Sequence, residues 1–343
     1  MKFSNWKQNL SAAMPALQRV ALGRHAVSVV ALSDRVALGL PPDKKLATEV
    51  VNLFRPMKGR ARLVSRAVGI LAGAGLGSTI GKKFVGGSSC TISWLQEAKA
   101  VGFLGCNPSH GLRCILLSRD TSENLLVTKL AIGGDIEVVS KEAEKLIRFS
   151  GDFDGIPTLI SSEKGDDWAA FSMNHLRERG PLTLDEDAVM GLLQGWLIEE
   201  VVSPDSMAWL KPMLAHIEPK LARAISGERV HKSLFHGDFT PWNLRLNQGD
   251  LFAIDWEWSS SEGLGGLDLG HGLFMTGRLV DDLSGGALVD KILTCSSQGG
   301  VSQYLMACGW KSLPAWLAIS IIYSSTQTGL DVKEELIALQ RLL

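Results

Sequence analysis

Residues 234–258 read LFHGDFTPWNLRLNQGDLFAIDWEW and mix polar with apolar side chains. Carboxylates among apolar residues are costly to bury unless a cation or a hydrogen-bond donor meets them. A solvated loop, in turn, would not alternate its polar groups with leucine, isoleucine and phenylalanine. The stretch therefore predicts polar groups held on rigid structure and directed into a site. These groups are His236, Asp238, Asn243, Asp255 and Glu257.

The spacing of two acids and one amide in this stretch suits phosphoryl transfer. Asp238 precedes Asn243 by five residues, and Asp255 follows after a short hairpin that reverses at NQGD, residues 247–250. In such chemistry a base must reach a substrate hydroxyl, while an amide and a second acid hold Mg²⁺ against phosphate oxygens. The hairpin predicts that the second acid returns beside the first.

The sequence of the motif resembles one superfamily of small-molecule kinases more than it resembles the protein kinases. HGDFTPWN, residues 236–243, resembles the HGDxxxxN loop of the aminoglycoside phosphotransferase and choline kinase superfamily, including its proline. Residues 254–271, IDWEWSSSEGLGGLDLGH, resemble the choline-kinase-type Asp-Phe-Glu-Tyr segment that ends in Asp-Ile-Gly. The resemblance covers roughly residues 95–320. It implies a protein-kinase-like fold and transfer of phosphate from ATP to a hydroxyl, with Mg²⁺.

Carried over by position, the resemblance implies a role for each residue of the motif. Asp238 would be the catalytic base, and Asn243 and Asp255 would be the magnesium ligands. His236 would orient the loop through hydrogen bonds without titrating. Glu257 would be an accessory acid near the metals or the substrate. Asp268 would brace the catalytic loop, which is a supporting role.

Three tryptophans flank the motif. Trp242 lies in the loop and is the better candidate for substrate contact. By strand alternation Trp256 and Trp258 share one face, opposite the two acids, which favours core packing for both. A cage for a cationic ligand is the alternative interpretation.

A kinase-like amino-terminal lobe needs a strand lysine that binds the phosphates and a helix glutamate that orients it. The run LVTKLA offers Lys129, and the predicted helix DIEVVSKEAEKLIRF, residues 135–149, offers Glu142 and Glu144. At 100° per residue Glu142 lies nearer the apolar stripe, so it is the expected partner. The alternative is a lysine that only keeps an edge strand soluble.

Two further nucleotide contacts are placed by position alone. The loop GFLGCNPSHG, residues 102–111, lies where a phosphate-covering loop is needed, although its glycine spacing departs from G-x-G-x-x-G. The adenine is expected to meet backbone groups where the fifth strand ends, around Ser172 to Asn174.

The order of elements predicts an α+β protein in two lobes. Five short apolar runs, separated by turn residues, read as strands: AVGFL, RCILLS, LLVTKLA, IPTLISS and DWAAFSM. Residues 1–85 are expected to form a basic, mostly helical extension and 86–176 a β-rich, nucleotide-binding lobe. Residues 177–343 are expected to form a helical lobe that carries the catalytic loop 236–243 and the metal-binding segment 254–258.

The first part of the chain is strongly basic. Residues 1–90 contain 14 basic and 3 acidic residues, a net charge of +11, whereas the remainder has 21 basic and 33 acidic residues, a net charge of −12. The favoured interpretation is a helical subdomain whose basic side docks onto the acidic body. The second is peripheral contact of residues 1–85 with an anionic membrane. The apolar run 67–80 is shorter than the ~20 residues that span a bilayer.

Other features narrow the function classes. Five scattered cysteines without a CxxC motif indicate a reducing compartment, and a cytoplasmic location is expected. An organelle presequence stays open, because the first 33 residues contain no acid. No recognition motif for nucleic acid is present.

Two alternatives to an active kinase stay open: a silent kinase-like module that binds nucleotide or a partner, and a hydrolytic metal site at His231, His236 and Asp238. The acceptor stays open among choline or ethanolamine, an aminoglycoside, and a lipid-linked sugar or lipopolysaccharide core.

Overall fold

The fold is described from a computed structural model of the chain. The structure describes residues 13–32, 36–54, 59–84, 87, 89–106, 111–215 and 217–343. The chain divides into two compact units. Unit 1 comprises residues 1–147 and 157–175, and unit 2 comprises residues 148–156 and 176–343.

Unit 1 is built on one eight-stranded sheet in which every neighbouring pair is antiparallel, in the order β3-β1-β2-β4-β5-β6-β8-β7. Its strands are β1 Val27–Ala31, β2 Val36–Leu40, β3 Lys82–Phe84, β4 Ala100–Cys106, β5 Leu112–Arg119, β6 Leu125–Ile132, β7 Leu159–Lys164 and β8 Trp168–Asn174. Its helices are α1 Lys44–Leu53, α2 Gly59–Gly73, α3 Ser93–Gln96 and α4 Ile136–Phe149, after a single π-helical turn at Gln18–Leu22. The last two residues of α4 count with unit 2.

Buried side chains of the sheet alternate between two apolar clusters because successive residues of a strand point to opposite faces. In β4, Phe103 belongs to one cluster and Leu104 to the other. The second cluster also contains residues of α1 and α2, which therefore cover that face.

The structure differs from the extension expected over residues 1–85. Three strands of the sheet, β1, β2 and β3, lie in this range, and β2 pairs with β4 from Val36↔Cys106 to Gly39↔Phe103. The segment therefore continues the sheet and is not a separate helical body. Short runs such as VSVV and VALGL are ambiguous alone, and it is the partner strand about 65 residues later that makes them strands.

Unit 2 is mainly helical, so the expected α+β class, with a β-rich part followed by a helical part, is confirmed. Its helices are α5 Asp187–Gly195, α6 Lys211–Leu214, α7 Pro219–Ser226, α8 Leu267–Leu279, α9 Gly285–Ser296, α10 Gly299–Ala307, α11 Leu313–Thr328 and α12 Lys333–Gln340. Two small antiparallel sheets accompany them. Their strands are β9 Glu178–Arg179, β10 Leu197–Val202, β11 Val230–Phe235, β12 Leu244–Asn247, β13 Asp250–Ala253 and β14 Ser260–Leu264, in the orders β10-β11-β14 and β13-β12-β9.

The centre of unit 2 is α11, which is buried over ten consecutive residues, 315–324, and packs against α8. This pair supports the loop that follows β11. Among the described residues, no helix combines the length and apolar composition needed to cross a bilayer.

Candidate active site

The stretch 234–258 forms a loop and a hairpin in unit 2. The loop begins after Phe235, passes through a 3-10 turn at Pro241–Asn243 and enters β12. After β13 the chain returns against the loop, because the Ile254 N–H donates to the Asn243 carbonyl at 2.8 Å. Asp238 and Asp255 are thereby gathered around one residue, and the charges of both carboxylates act on the ring of His236. The hairpin thus returns the second acid to the loop, as predicted.

The carboxylate of Asp238 is held by the amide that follows it. Asn243 is 7% exposed, and its Nδ2 donates to the Asp238 main-chain oxygen and to Asp238 Oδ2, both at 2.9 Å. The Asp238 side chain keeps 33% of its surface exposed. A fixed but accessible carboxylate suits a general base. Because the Asn243 nitrogen makes both bonds, Oδ1 is the amide atom that can serve as a metal ligand.

His236 fixes the loop from beneath. The fully buried ring lies with Nε2 2.9 Å from the Ile254 carbonyl, while Nδ1 accepts the Asp238 N–H at 3.2 Å. A carbonyl can only accept, so Nε2 carries the proton and the ring is neutral. Burial lowers the pKa of His236 to about 4, against the smaller opposing effects of the two carboxylates. Both nitrogens are occupied, so His236 is not a ligand of the hydrolytic metal site, which is thereby excluded.

Asp268, in the first turn of α8, accepts two backbone N–H groups of the loop. His236 N donates to its Oδ2 at 2.7 Å and Gly237 N to its Oδ1 at 2.9 Å. Burial raises the pKa of Asp268 to about 7, while the two N–H groups act in the opposite direction. The turn itself needs glycine: Gly237 has φ +88°, and a Cβ there would lie 2.7 Å from the Trp258 Cβ and carbonyl oxygen. These contacts are what a brace for the loop requires.

His271 is a residue that the sequence reasoning missed. Its ring is buried, with Nε2 3.3 Å from Asp238 Oδ1 and Nδ1 2.9 Å from Ser324 Oγ. The Ser324 hydroxyl donates to the Ser320 carbonyl at 2.7 Å, so Nδ1 is the donor to Ser324. The spacing from Asp268 to His271 places both on one face of α8 and was the available sequence signal.

The two tryptophans after Asp255 do not share a face. Trp256 is fully buried, donates to the Ala253 carbonyl at 2.8 Å and packs edge-on against His236, so core packing is confirmed for it. Trp258 is 53% exposed, and the prediction of a shared buried face was wrong. The reason is local: Asp255 has φ +72°, and a turn at residues 257–258 replaces the expected strand.

The other candidate residues of unit 2 lie in or beside two turns, the 3-10 turn at Pro241–Asn243 and the turn at residues 257–258. Asp255 is half-buried in a left-handed conformation, which is rare outside glycine and is concentrated at functional sites. Glu257 is half-buried in the turn that follows. Trp242 is half-buried in the 3-10 turn, and its carbonyl accepts Arg245 Nη1 at 2.8 Å.

In unit 1, Lys129 of β6 forms an ion pair with Glu142 of α4, with 2.5 Å between Nζ and Oε2. The side chains are 12% and 2% exposed, so the pair is nearly dry. Glu144 is exposed. The predicted choice of Glu142 as the partner is confirmed, and the alternative of a solubilising surface lysine is wrong, because β6 lies between β5 and β8 and is not an edge strand.

The two adenine candidates differ in position. Ser172 pairs with Thr128 on one side and Ser161 on the other, so its backbone lies inside the sheet. Asn174 is the exposed last residue of β8. The chain leaves the sheet about two residues later than Ser172. Of the expected phosphate-covering loop, residues 102–106 belong to β4, and residues 107–110 lie outside the described residues.

No protein-family model and no curated protein matches the chain. Among solved structures, it is similar to a thermostable mutant of aminoglycoside phosphotransferase APH(4)-Ia in ternary complex with AMP-PNP and hygromycin B (13% identity, TM-score 0.43, 72% of this chain and 92% of that chain). It is also similar to an aminoglycoside phosphotransferase from Streptomyces rimosus (13% identity, TM-score 0.40, 61% of this chain and 88% of that chain). A third similar structure is the amicoumacin kinase hAmiN in complex with AMP-PNP and Ca²⁺ (11% identity, TM-score 0.39, 70% of this chain and 86% of that chain).

The family that residues 236–243 resemble is therefore represented among these similar structures.

Proposed function

We propose that the protein is an ATP- and Mg²⁺-dependent phosphotransferase that phosphorylates a hydroxyl of a small molecule or glycan. The observation that carries the proposal is the Asp238 carboxylate, held by Asn243 and His271 and one-third exposed. Such a group can accept a proton from a substrate hydroxyl without losing its orientation.

The side chains beside the base suit a hard cation. Asn243 Oδ1 and the Asp255 carboxylate are oxygen donors, the type that Mg²⁺ prefers. They would hold the ion, with Glu257 as an accessory acid. When bound, Mg²⁺ would neutralise charge on the phosphate oxygens.

The remaining roles are those that the resemblance implies. Asp238 would take the proton as the substrate oxygen bonds to the γ-phosphorus and the bond from that phosphorus to the β–γ bridging oxygen breaks, which releases ADP. Lys129, oriented by Glu142, would bind the α- and β-phosphates. Asn174, exposed at the end of β8, would offer its backbone to the adenine. Trp242 would contact the acceptor.

Substitution of the base tests the proposal. Asp238→Asn keeps one acceptor oxygen, for either Asn243 or His271, but cannot take the proton, so turnover should fall by at least ~100-fold. Binding of AMP-PNP with Mg²⁺, measured by calorimetry, should change little. Asp250→Asn, at an exposed acid of the neighbouring hairpin, is the matched control. An unchanged rate in Asp238→Asn would rule out the base.

A phosphate-transfer screen from labelled ATP defines the acceptor. Its panel should include choline, ethanolamine, aminoglycosides, sugar nucleotides and lipid-linked sugars. The second candidate function is a silent nucleotide-binding module. That candidate predicts nucleotide binding without Mg²⁺-dependent ATP consumption with any acceptor.

A further inference from the structure

Helix α2 buries one side and leaves an apolar strip on the other. Val68 and Ala72 are 7% and 0% exposed and belong to the cluster that covers one face of the sheet. Leu63 and Ile70, seven residues apart, are 67% and 73% exposed. At 100° per residue these two lie within about 20° of each other and point away from the buried side.

The apolar strip has a cationic border. Arg62 and Arg66 are exposed and lie on one side of the strip, at the helical positions next to Leu63 and Ile70. Between Glu49 and Glu97 the sequence contains no acidic residue, whereas it contains seven basic ones: Arg55, Lys58, Arg60, Arg62, Arg66, Lys82 and Lys83. A partner for this face must accept two apolar side chains and the positive charge of Arg62 and Arg66.

We propose that this face of α2 docks on an anionic lipid surface, with the helix in the plane of the headgroups. A bilayer interface offers hydrocarbon to Leu63 and Ile70 and negative charge to the arginines beside them, and amphipathic helices with arginine-bordered apolar strips bind in this way. A helix of 15 residues is about 22 Å long, which suits lying along the surface. An acidic protein surface would also match the charge, and the vesicle experiment distinguishes it from a lipid surface.

The inference is independent of the proposed phosphotransferase activity. It is tested with the full chain by sedimentation with vesicles of phosphatidylcholine alone and of phosphatidylcholine mixed with phosphatidylglycerol. The protein should pellet with the anionic vesicles, much less with the neutral ones, and less as salt is raised.

Two double variants separate the apolar from the electrostatic contribution. Leu63→Ser with Ile70→Ser should lower the partition coefficient about tenfold or more. Arg62→Gln with Arg66→Gln should lower it roughly 10- to 30-fold and weaken its salt dependence. All four side chains are exposed, so circular dichroism should show an unchanged fold.

The matched control is Leu182→Ser, a residue of unit 2 that is 80% exposed and should leave partitioning unchanged. Wild-type protein that stays in the supernatant with anionic vesicles would overturn the proposal and point to an acidic protein as the occupant. Equal binding of the Leu63/Ile70 variant would overturn it too.

Discussion

At the scale of single residues, the neutral ring of His236 makes loop stability depend on pH. Its pKa is lowered by burial from 6.5 to about 4, so between these values the unfolded chain binds a proton that the native state does not. The contribution of His236 is therefore present above pH 6.5 and is lost as the pH falls towards 4. At 1.36 kcal/mol per pH unit the loss is about 3 kcal/mol.

The comparison of wild type with His236→Gln isolates this contribution. The variant lacks the titrating ring, so the free energy of unfolding of wild type relative to the variant should fall by about 3 kcal/mol between pH 7 and pH 4. Asp268 acts in the opposite sense over the same range because its pKa is raised, but it is common to both proteins and cancels in the difference. Urea unfolding at several pH values measures the effect, and parallel curves would contradict it.

His271 should matter for turnover more than for acceptor binding, because it touches the base and not the metal ligands. His271→Ala should lower kcat roughly 10- to 100-fold with little change in the acceptor KM, since a misoriented base slows the proton transfer. His271→Gln keeps an N–H group that can donate to Asp238 and should recover part of the loss. A KM effect without a kcat effect would assign His271 to substrate binding instead.

At the scale of elements, the sequence predicted best where a few nearby residues determine the structure. The five strands between residues 100 and 174 and helix α4 are all present, because their patterns are local. The Lys129–Glu142 pair followed from the kinase-like order of a strand lysine and a helix glutamate, and helical spacing favoured Glu142 over Glu144. The loop 236–243 was predictable because its polar residues have no satisfactory place except around a site.

The elements that were missed depend on distant partners. Strands β1 to β3 exist because β2 pairs with β4, and no local pattern distinguishes such short apolar runs from pieces of a buried helix. The exposure of Trp258 was missed because strand alternation was extended through Asp255, whose left-handed backbone ends the regular structure. His271 was missed because its role depends on α8 packing against α11, where Ser324 accepts its hydrogen bond.

At the scale of the whole molecule, the candidate catalytic residues and the candidate phosphate-binding lysine belong to different units. Unit 2 holds the candidate base and metal ligands, whereas unit 1 holds the Lys129–Glu142 pair. Removing one partner of a buried pair leaves an uncompensated charge and costs about 3–5 kcal/mol, whereas an exposed pair contributes about 0–1 kcal/mol. Replacing one or both residues of the buried Lys129–Glu142 pair should therefore distinguish an effect on the free energy of unfolding from an effect on nucleotide affinity.

Replacement of Lys129 by Met should lower both the free energy of unfolding and the affinity for Mg²⁺–AMP-PNP, because Glu142 loses its ammonium partner and the phosphates lose a cation. The double variant Lys129→Met with Glu142→Met should regain stability, since two apolar side chains replace the pair, but should not regain nucleotide affinity. Lys164→Met is the matched control, because the Lys164–Glu137 pair joins β7 to the same helix but is exposed, and it should change neither quantity appreciably. Calorimetry with AMP-PNP and urea unfolding measure the two effects. If the double variant binds nucleotide as wild type does, Lys129 has a structural role and does not contribute to phosphate binding.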